Sequence, residues 1–188
     1  MINYSIIADS IEYYEAHKFK RIESPWTVTP AISNITKPKG VGDFSIVEKN
    51  KVLVASGEQS FLYLYNKGFI PKGSFQTVTP CFRDDAFDSL HTKYFIKNEL
   101  IKTDDVNENA LLNVIRNAVM FFTMYLGCDV LVKKLPDNSY DITYRDIELG
   151  SYGIRKCDFL TWIYGTGVAE PRLSMVINKY GLSQNKNS

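Results

Sequence analysis

Residues 78–101, VTPCFRDDAFDSLHTKYFIKNELI, are the stretch around which this chain is organised. Apolar and polar residues alternate on both sides of a polar loop, and this pattern predicts a β-hairpin. The loop and the strand ends carry the charged or titratable side chains Arg83, Asp84, Asp85, His91, Lys93 and Glu99. Arginine and histidine suit a polyphosphate, whereas carboxylates suit Mg²⁺ or an ammonium group. When this segment is considered alone, an ordinary solvated hairpin is the preferred explanation.

The composition is that of a globular protein. The chain has 188 residues, of which 45% are hydrophobic and 23% are charged, so it predicts one domain over residues 1–182 followed by a flexible tail over residues 183–188. The net charge of +1 gives no strong electrostatic case for binding nucleic acid, although it is compatible with a local basic patch that binds tRNA.

The cysteines and the apolar segments bear on the cellular compartment. The three cysteines are odd in number and far apart, so they predict neither a disulfide framework nor a metal site, and they favour a reducing cytoplasm. The N-terminus lacks the pattern of a signal peptide, and no stretch has the length and apolar character of a membrane span. We therefore expect a cytoplasmic protein with no membrane partner.

Helical periodicity predicts four helices. The first covers about residues 4–18, and the second begins at Ser56 or Gly57 and ends at Gly68. The third is capped by residues 103–105, with Glu108 in a capping-box position relative to Asp105, and ends at Gly127. The fourth begins at Pro171 and ends at Gly181.

Besides the hairpin, five short strands are predicted, at residues 44–47, 52–55, 130–133, 140–143 and 147–150. A turn at Asn50 joins the first two, and residues 136–138 form the turn between the next two. Together these elements predict an α+β fold. Its mostly antiparallel sheet of about six strands carries the functional site on one face, with helices packed behind.

Three further segments carry candidate site residues. Glu58 lies at the start of a helix, where the macrodipole alone explains a carboxylate and where it also suits an ammonium group. Residues 148–155 place Glu148, Ser151 and Arg155 among glycines. Residues 164–173 are interpreted as a glycine-rich strand-to-helix junction with Arg172 in the first helical turn, a type of junction that serves nucleotides. Its spacing fits neither a P-loop nor a dinucleotide fingerprint.

Taken in this order, the segments resemble the catalytic core of class II aminoacyl-tRNA synthetases, above all the aspartate, asparagine and lysine enzymes and the related asparagine synthetase. The resemblance runs over nearly the whole chain. It is carried by residues 19–25, 56–58, 80–99, 140–155 and 165–173. In the family, the proline that matches Pro25 lies at a dimer interface, so the resemblance implies a homodimer.

The resemblance implies ATP as a substrate and Mg²⁺ as its companion ion. Arg83 would hold the α-phosphate and the substrate carboxylate, and His91 would reach the distal phosphates. Phe95 and Arg172 would stack on the two faces of adenine, with Arg172 approaching the γ-phosphate. Asp85 stands in the ATP-binding motif where the family usually has the longer glutamate.

The remaining roles concern the metal and the second substrate. Glu148 would ligate Mg²⁺, with Ser151 beside it. Glu58 and Glu99 would contact the amino acid, and Arg155 would lie near its side chain or near the phosphates.

The chain departs from the family pattern in several places. Leu90 replaces an arginine before the histidine, Pro171 stands where an acid commonly precedes the arginine, and Ala169 replaces a glycine. The segment between Arg155 and Gly165 is short, and no anticodon-binding domain is expected. A lysine typical of an aspartate pocket is missing, because Phe61 stands in its place, and this argues against aspartate as the substrate.

Three hypotheses follow. The first is an enzyme that activates an amino acid or a similar carboxylate as an adenylate and transfers it to an amine, a carrier or an RNA. The second is a catalytically inactive, synthetase-like binding or regulatory paralogue. The third is a minimal synthetase that charges tRNA. The four residues Arg83, His91, Glu148 and Arg172 favour the first.

Overall fold

The computed structural model describes residues 1–47, 50–84 and 93–182, and these form an α+β fold. The described helices are α1 (Tyr4–Ala16), α2 (Pro30–Thr36), α3 (Gly57–Asn66), α4 (Glu108–Leu126) and α5 (Arg172–Tyr180). The described strands are β1 (Lys20–Arg21), β2 (Thr27–Val28), β3 (Val52–Leu53), β4 (Ser74–Phe82), β5 (Tyr94–Lys102), β6 (Leu131–Lys134), β7 (Tyr140–Tyr144), β8 (Ile147–Cys157) and β9 (Leu160–Glu170).

Seven of these strands form one sheet in the order β1-β4-β5-β9-β8-β7-β6, and β2 pairs with β3 separately. The pair β1–β4 is parallel, whereas the other pairs of the large sheet are antiparallel. The predicted hairpin is confirmed: β4 and β5 pair along their whole lengths, from Ser74 opposite Lys102 to Phe82 opposite Tyr94. The prediction of about six strands is close to the seven observed.

Apolar layers cover both faces of the sheet. Consecutive strand residues point to opposite faces, and accordingly Leu100 and Ile101 of β5 belong to two different hydrophobic clusters. The back cluster, named here for the face without the candidate site, contains apolar residues of α1, α4 and α5. The front cluster contains Ile32 of α2 and Phe61 of α3. Helices therefore lie on both sides of the sheet, and not only behind it as predicted.

A buried polar network fixes α1 against the back of the sheet. Asn98 Nδ2 of β5 donates to Ser10 Oγ at 3.0 Å and to Gln76 Oε1 at 2.9 Å. Gln76 Nε2 of β4 in turn donates to the carbonyl oxygens of Ile11 at 2.9 Å and Phe19 at 3.1 Å. Because Ser10, Gln76 and Asn98 are fully buried, the loss of a partner costs each of them more than the bond itself contributes.

Several local predictions are wrong. Asn107 caps α4, because its side chain accepts from the amide of Ala110 at 2.9 Å, so Asp105 is not the cap. Helix α2, which the sequence prediction missed, begins with Pro30 behind the Thr29 cap. Residues 44–47 form no strand, although the carbonyl oxygen of Phe44 accepts from the amide of Leu53 at 2.9 Å.

The glycine-rich segment is also different from the prediction. Gly165 and Gly167 lie inside β9, which pairs with an equally long β8, so the strand-to-helix junction comes later, at Pro171. Pro171 occupies the N-cap position, and Arg172 is the first helical residue. A β-bulge between Asn98 and Glu99 leaves Gly167 unpaired opposite β5. A Cβ atom at Gly167 would lie 2.9 Å from the ring of Tyr14 and 3.0 Å from the carbonyl oxygen of Asn98.

The remaining global predictions concern thiols, membranes and the tail. Cys81, Cys128 and Cys157 are all free. Among the described residues, no helix combines the length and the apolar character needed to cross a membrane. The predicted flexible tail over residues 183–188 lies outside the described residues.

We expect Gln76→Leu to destabilise the protein by about 1–3 kcal/mol, because it removes the donor to the carbonyl oxygens of Ile11 and Phe19 and the acceptor for Asn98. Urea denaturation measures the change. Asn113→Leu, on the exposed face of α4, is the control and should change the free energy of unfolding by less than about 0.5 kcal/mol. Equal transition midpoints for the two variants would contradict the role assigned to this network.

Candidate active site

The described candidate residues of β5 and β8 share the front face of the sheet. Residues that pair across neighbouring strands point to the same face. Phe95, Lys97 and Glu99 are alternate residues of β5, so their side chains share one face of the sheet. Glu99 pairs with Thr166 of β9. Arg155 of β8 pairs with Trp162 of β9, which belongs to the front cluster. The start of α3 packs on the same face and contributes Glu58.

Glu58 is buried and fully engaged. Its carboxylate accepts from Trp162 Nε1 at 2.6 Å and forms an ion pair with Arg155. The side chain of Ser56, which caps α3, accepts from the amide of Glu58 at 3.1 Å. Burial raises the pKa of Glu58, the positive charge of Arg155 opposes this rise, and the negative charge of Glu99 adds to it. The structure therefore places Glu58 at a tightly packed position of the site.

Glu99 is equally buried but has the opposite electrostatic balance. Lys97 Nζ lies 2.9 Å from one carboxylate oxygen of Glu99, and Ser56 Oγ donates to the other at 2.9 Å. Burial alone would raise the pKa of Glu99, but the charge and hydrogen bond of Lys97 and the hydrogen bond of Ser56 outweigh it and lower the pKa. Ser56 thus links the two carboxylates, since its side chain accepts from the amide of Glu58 and donates to the carboxylate of Glu99.

Arg155 is held between its partner carboxylate and an aromatic ring. Its guanidinium carbon lies 4.0 Å from the centre of the Tyr164 ring, a cation–π arrangement. Gly153 pairs with Tyr164 and leaves space for that ring, because a Cβ atom there would lie 2.8 Å from it. The side chain of Arg155 remains 39% exposed, so it is the charged group of the Glu58 pair that a ligand can reach.

Arg83 follows β4 at the mouth of the central hairpin. Its Nε donates to the carbonyl oxygen of Ala55 at 3.1 Å, and its amide donates to the carbonyl oxygen of Lys93 at 2.9 Å. Its guanidinium carbon lies 5.0 Å from the centre of the Phe95 ring. The structure therefore brings these two predicted ATP-binding residues together. Asp85 and His91, also predicted to bind ATP, lie outside the described residues.

A second carboxylate lies beside Glu148. A β-bulge between Ile142 and Thr143 pairs Glu148 with Thr143, and Asp141 pairs with Ser151. Burial and then the charge of Glu148 raise the pKa of Asp141, whereas a hydrogen bond from Ser151 lowers it. These three side chains offer two carboxylates and a hydroxyl, the oxygen ligands that Mg²⁺ prefers. No cluster of three histidine, cysteine or acidic residues with the geometry of a metal site occurs in the described part of the chain.

Arg172, at the start of α5, contacts the carboxylate of Glu148. Its Nη1 lies 3.2 Å from Glu148 Oε1. The neighbouring acid, Glu170, turns away from the site: it is buried, and its carboxylate accepts from the amide of Ser174 at 3.0 Å and from the amide of Asn3 at 2.9 Å. The acid before Pro171 therefore holds the starts of α1 and α5.

Sequence reasoning missed three residues of this site. Lys97 was recognisable, because it lies between Phe95 and Glu99 at the period-two spacing of one strand face. Asp141 required the register of β7 with β8, which the short turn after Tyr144 sets. Trp162 required β9, which begins at Leu160, whereas no strand was predicted before residue 164.

Comparison with known proteins identifies the fold. The sequence matches no protein-family model and no curated protein. Two structures of the pyrrolysyl tRNA synthetase from Desulfitobacterium hafniense align with TM-scores of 0.71 and 0.68 at 12% and 14% sequence identity. These alignments cover 95% and 98% of this chain and 67% and 73% of the synthetase chains.

Seryl-tRNA synthetases are similar as well. The enzyme from Pyrococcus horikoshii, complexed with ATP, aligns with a TM-score of 0.73 at 16% identity over 89% of this chain and 48% of its own. The cytoplasmic serine-tRNA ligase from Naegleria fowleri, in complex with AMP, aligns with a TM-score of 0.70 at 15% identity over 93% of this chain and 53% of its own. The chain thus has the class II synthetase fold and spans about half of each seryl enzyme. The closer resemblance to the aspartate, asparagine and lysine enzymes stays a prediction.

Opposite pKa shifts predict opposite pH dependences for two matched variants. Because the pKa of Glu58 is raised from 4.5, its contribution to stability is present below pH 4.5 and is lost as pH rises through the raised pKa. The wild type should therefore lose stability relative to Glu58→Gln over that window.

Glu99 should behave in the reverse way. Its pKa is lowered from 4.5, so its contribution is present above pH 4.5 and is lost as pH falls through the lowered pKa. The wild type should lose stability relative to Glu99→Gln as the solution is acidified. Urea denaturation at several pH values measures both differences, and slopes of the same sign would refute the assignment.

Proposed function

We propose that this protein is an adenylate-forming ligase, which activates a carboxylate with ATP and transfers the acyl group to an acceptor. One observation carries the proposal. Within a class II synthetase fold, Arg83 lies beside Phe95, 5.0 Å from guanidinium carbon to ring centre, and Arg172 lies beside Glu148 at the same end of the sheet, where β9 ends opposite Ile96 of β5. Arginines that contact a phosphate stabilise the negative charge that develops on it during in-line transfer.

The proposed chemistry forms one bond at phosphorus and breaks another. A carboxylate oxygen of the substrate attacks the α-phosphorus of ATP, and the bond from that phosphorus to the bridging oxygen of the β-phosphate breaks. Pyrophosphate leaves with the electron pair, and the acyl adenylate remains. No residue becomes covalently attached, so the protein acts by positioning and by charge stabilisation. Arg83 donates to the α-phosphate oxygens, where negative charge accumulates.

The other predicted contacts keep their roles within this proposal. Phe95 and Arg172 hold adenine between them, and Arg172 also approaches the γ-phosphate. Asp85 and His91 act from the loop of the hairpin, with His91 at the distal phosphates. Glu58, Glu99 and Arg155 form the pocket for the carboxylate substrate.

The oxygen ligands beside Arg172 fit Mg²⁺. Glu148, Ser151 and Asp141 would hold it, and this set of one or two carboxylates completed by phosphate oxygens is the common one for this ion. When bound, Mg²⁺ neutralises phosphate charge. Burial and the negative charge of Glu148 raise the pKa of Asp141. A cation bound between the two carboxylates would offset their repulsion.

The acceptor and the assembly belong to the proposal as well. The acceptor is an amine, a carrier or an RNA, and the similar structures, all tRNA synthetases, support including tRNA. A homodimer would use the edge at β1 and Pro25. Pro25 lies between β1 and β2, and its carbonyl oxygen accepts from Ser60 Oγ of α3 at 2.6 Å, so its position is tied to the site-bearing helix.

Arg83→Ala should reduce ATP–pyrophosphate exchange by about 10²–10³-fold, because it removes charge stabilisation at the α-phosphate. Exchange is measured with a panel of carboxylic and amino acids. Arg116→Ala, on the exposed side of α4, is the matched control and should leave exchange unchanged.

Other outcomes separate the competing functions. Wild-type protein that shows no exchange with any acid and no measurable ATP binding would refute the ligase and support the inactive paralogue. Aminoacylation of bulk tRNA would identify RNA as the acceptor, and light scattering in solution would decide whether the protein is a dimer.

Asp141→Asn should increase the Mg²⁺ concentration needed for half-maximal ATP binding by about tenfold, since it removes one anionic ligand. Calorimetric titration of ATP at several Mg²⁺ concentrations measures this shift. The control is Asp137→Asn in the adjacent turn, where the carboxylate accepts from Ser139 Oγ at 2.6 Å. Equal Mg²⁺ requirements for the two variants would exclude Asp141 as a ligand.

A further inference from the structure

The substrate pocket already contains its own ammonium group. Lys97 Nζ lies 2.9 Å from Glu99, and the exposed fractions of the two side chains are 12% and 1%. The second oxygen of Glu99 accepts from Ser56 Oγ at 2.9 Å. An α-ammonium group that approached Glu99 would therefore meet a carboxylate whose oxygens are both engaged and which is closed to solvent.

The second buried carboxylate is engaged in the same way. Glu58 forms an ion pair with Arg155 and accepts from Trp162 Nε1 at 2.6 Å, and its side chain is only 3% exposed. The reachable member of this pair is the guanidinium, which is 39% exposed. Within the two pairs Lys97–Glu99 and Arg155–Glu58, the more exposed member is thus the cation in both cases.

Displacing Lys97 would not free the site at low cost. The displaced ammonium group is mostly buried, and a buried charge that loses its partner is strongly penalised. Both oxygens of Glu58 and both oxygens of Glu99 already have partners, and each carboxylate has a cation of its own. The ammonium group of a zwitterion would have to compete with these partners, whereas an acid without that group does not.

We propose that the substrate is a carboxylic acid without a free α-ammonium group, either a des-amino acid or an N-acylated amino acid. Lys97 then takes the place that the α-ammonium group of an amino acid would occupy. This inference rests on the proposed function and specifies the substrate class of the same site.

The wild-type protein provides the first test. Pyrophosphate exchange is compared within matched pairs that differ in the amino group: succinate with aspartate, 3-phenylpropionate with phenylalanine, and each N-acetyl amino acid with its free form. In the pairs that are turned over, the acid without the ammonium group should have the higher kcat/KM by about tenfold or more. Equal or faster exchange with the free amino acids would overturn the inference while leaving the adenylating function intact.

Two lysine variants provide the second test. Lys97→Gln releases one oxygen of Glu99 for a substrate ammonium group, so the preference within each pair should shift toward the free amino acid by about tenfold. Lys102→Gln is the matched control: Lys102 lies on the same strand and also contacts an acid two residues later, Asp104, at 2.9 Å. An unchanged preference in a folded Lys97→Gln variant that still binds ATP contradicts the inference, and the wild-type comparison decides if that variant does not fold.

A complete lack of exchange would remove the activity comparison, and binding then tests the inference separately from the proposed function. Calorimetry with a non-hydrolysable ATP analogue and the same acid pairs measures the preference without chemistry. Tighter binding of the acids without an ammonium group supports the inference. Tighter binding of free amino acids, or binding of neither, rejects it.

Discussion

The strand β5 imposes the constraint on which the structure depends, because it lies inside a sheet that is covered on both faces. Its alternate residues must satisfy two different environments. Asn98 enters the polar network that holds α1 on the back, while Lys97 and Glu99 enter the site on the front. A shift of one residue in register would exchange these sets and bury charged groups beneath α1. At the bulge between Asn98 and Glu99, the extra residue belongs to β9. The side chains of β5 therefore keep alternating between the two faces of the sheet.

The front face shows how buried charges are accommodated. The two buried carboxylates of the site, Glu58 and Glu99, are each paired with a cation and receive a second hydrogen bond, as the high cost of burying an isolated charge requires. The two carboxylates nevertheless differ, since the pKa of Glu58 is raised and that of Glu99 is lowered. Such opposite shifts within one cleft are typical of functional sites. At Glu58, burial and the charge of Glu99 outweigh the charge of Arg155 and raise the pKa. At Glu99, the charge and hydrogen bond of Lys97 and the hydrogen bond of Ser56 outweigh burial and lower the pKa.

Much of the fold was predictable from local patterns. The central hairpin, α4 and the α+β class all follow from period-two and helical spacing, and these patterns reflect burial directly. The long hairpin of β8 and β9 was missed, because glycines at positions 150, 153, 165 and 167 are usually read as irregular backbone. In the structure they make room for rings instead, as Gly153 does for Tyr164. The cap of α4 was misplaced by two residues, since several polar side chains in succession can all serve as caps.

The sequence by itself determined which residue types are present for the site and that several of them share a strand face: Phe95, Lys97 and Glu99 are necessarily neighbours on β5. Only the tertiary structure decided how these charges pair. Residues 58 and 155 meet across α3 and β8, and residues 148 and 172 meet where β8 passes the start of α5. Such pairings depend on strand order and on helix placement, which result from the packing of the whole chain and not from any local pattern. For that physical reason, the sequence indicated a pocket with free carboxylates, whereas the fold supplies those carboxylates with cations of its own.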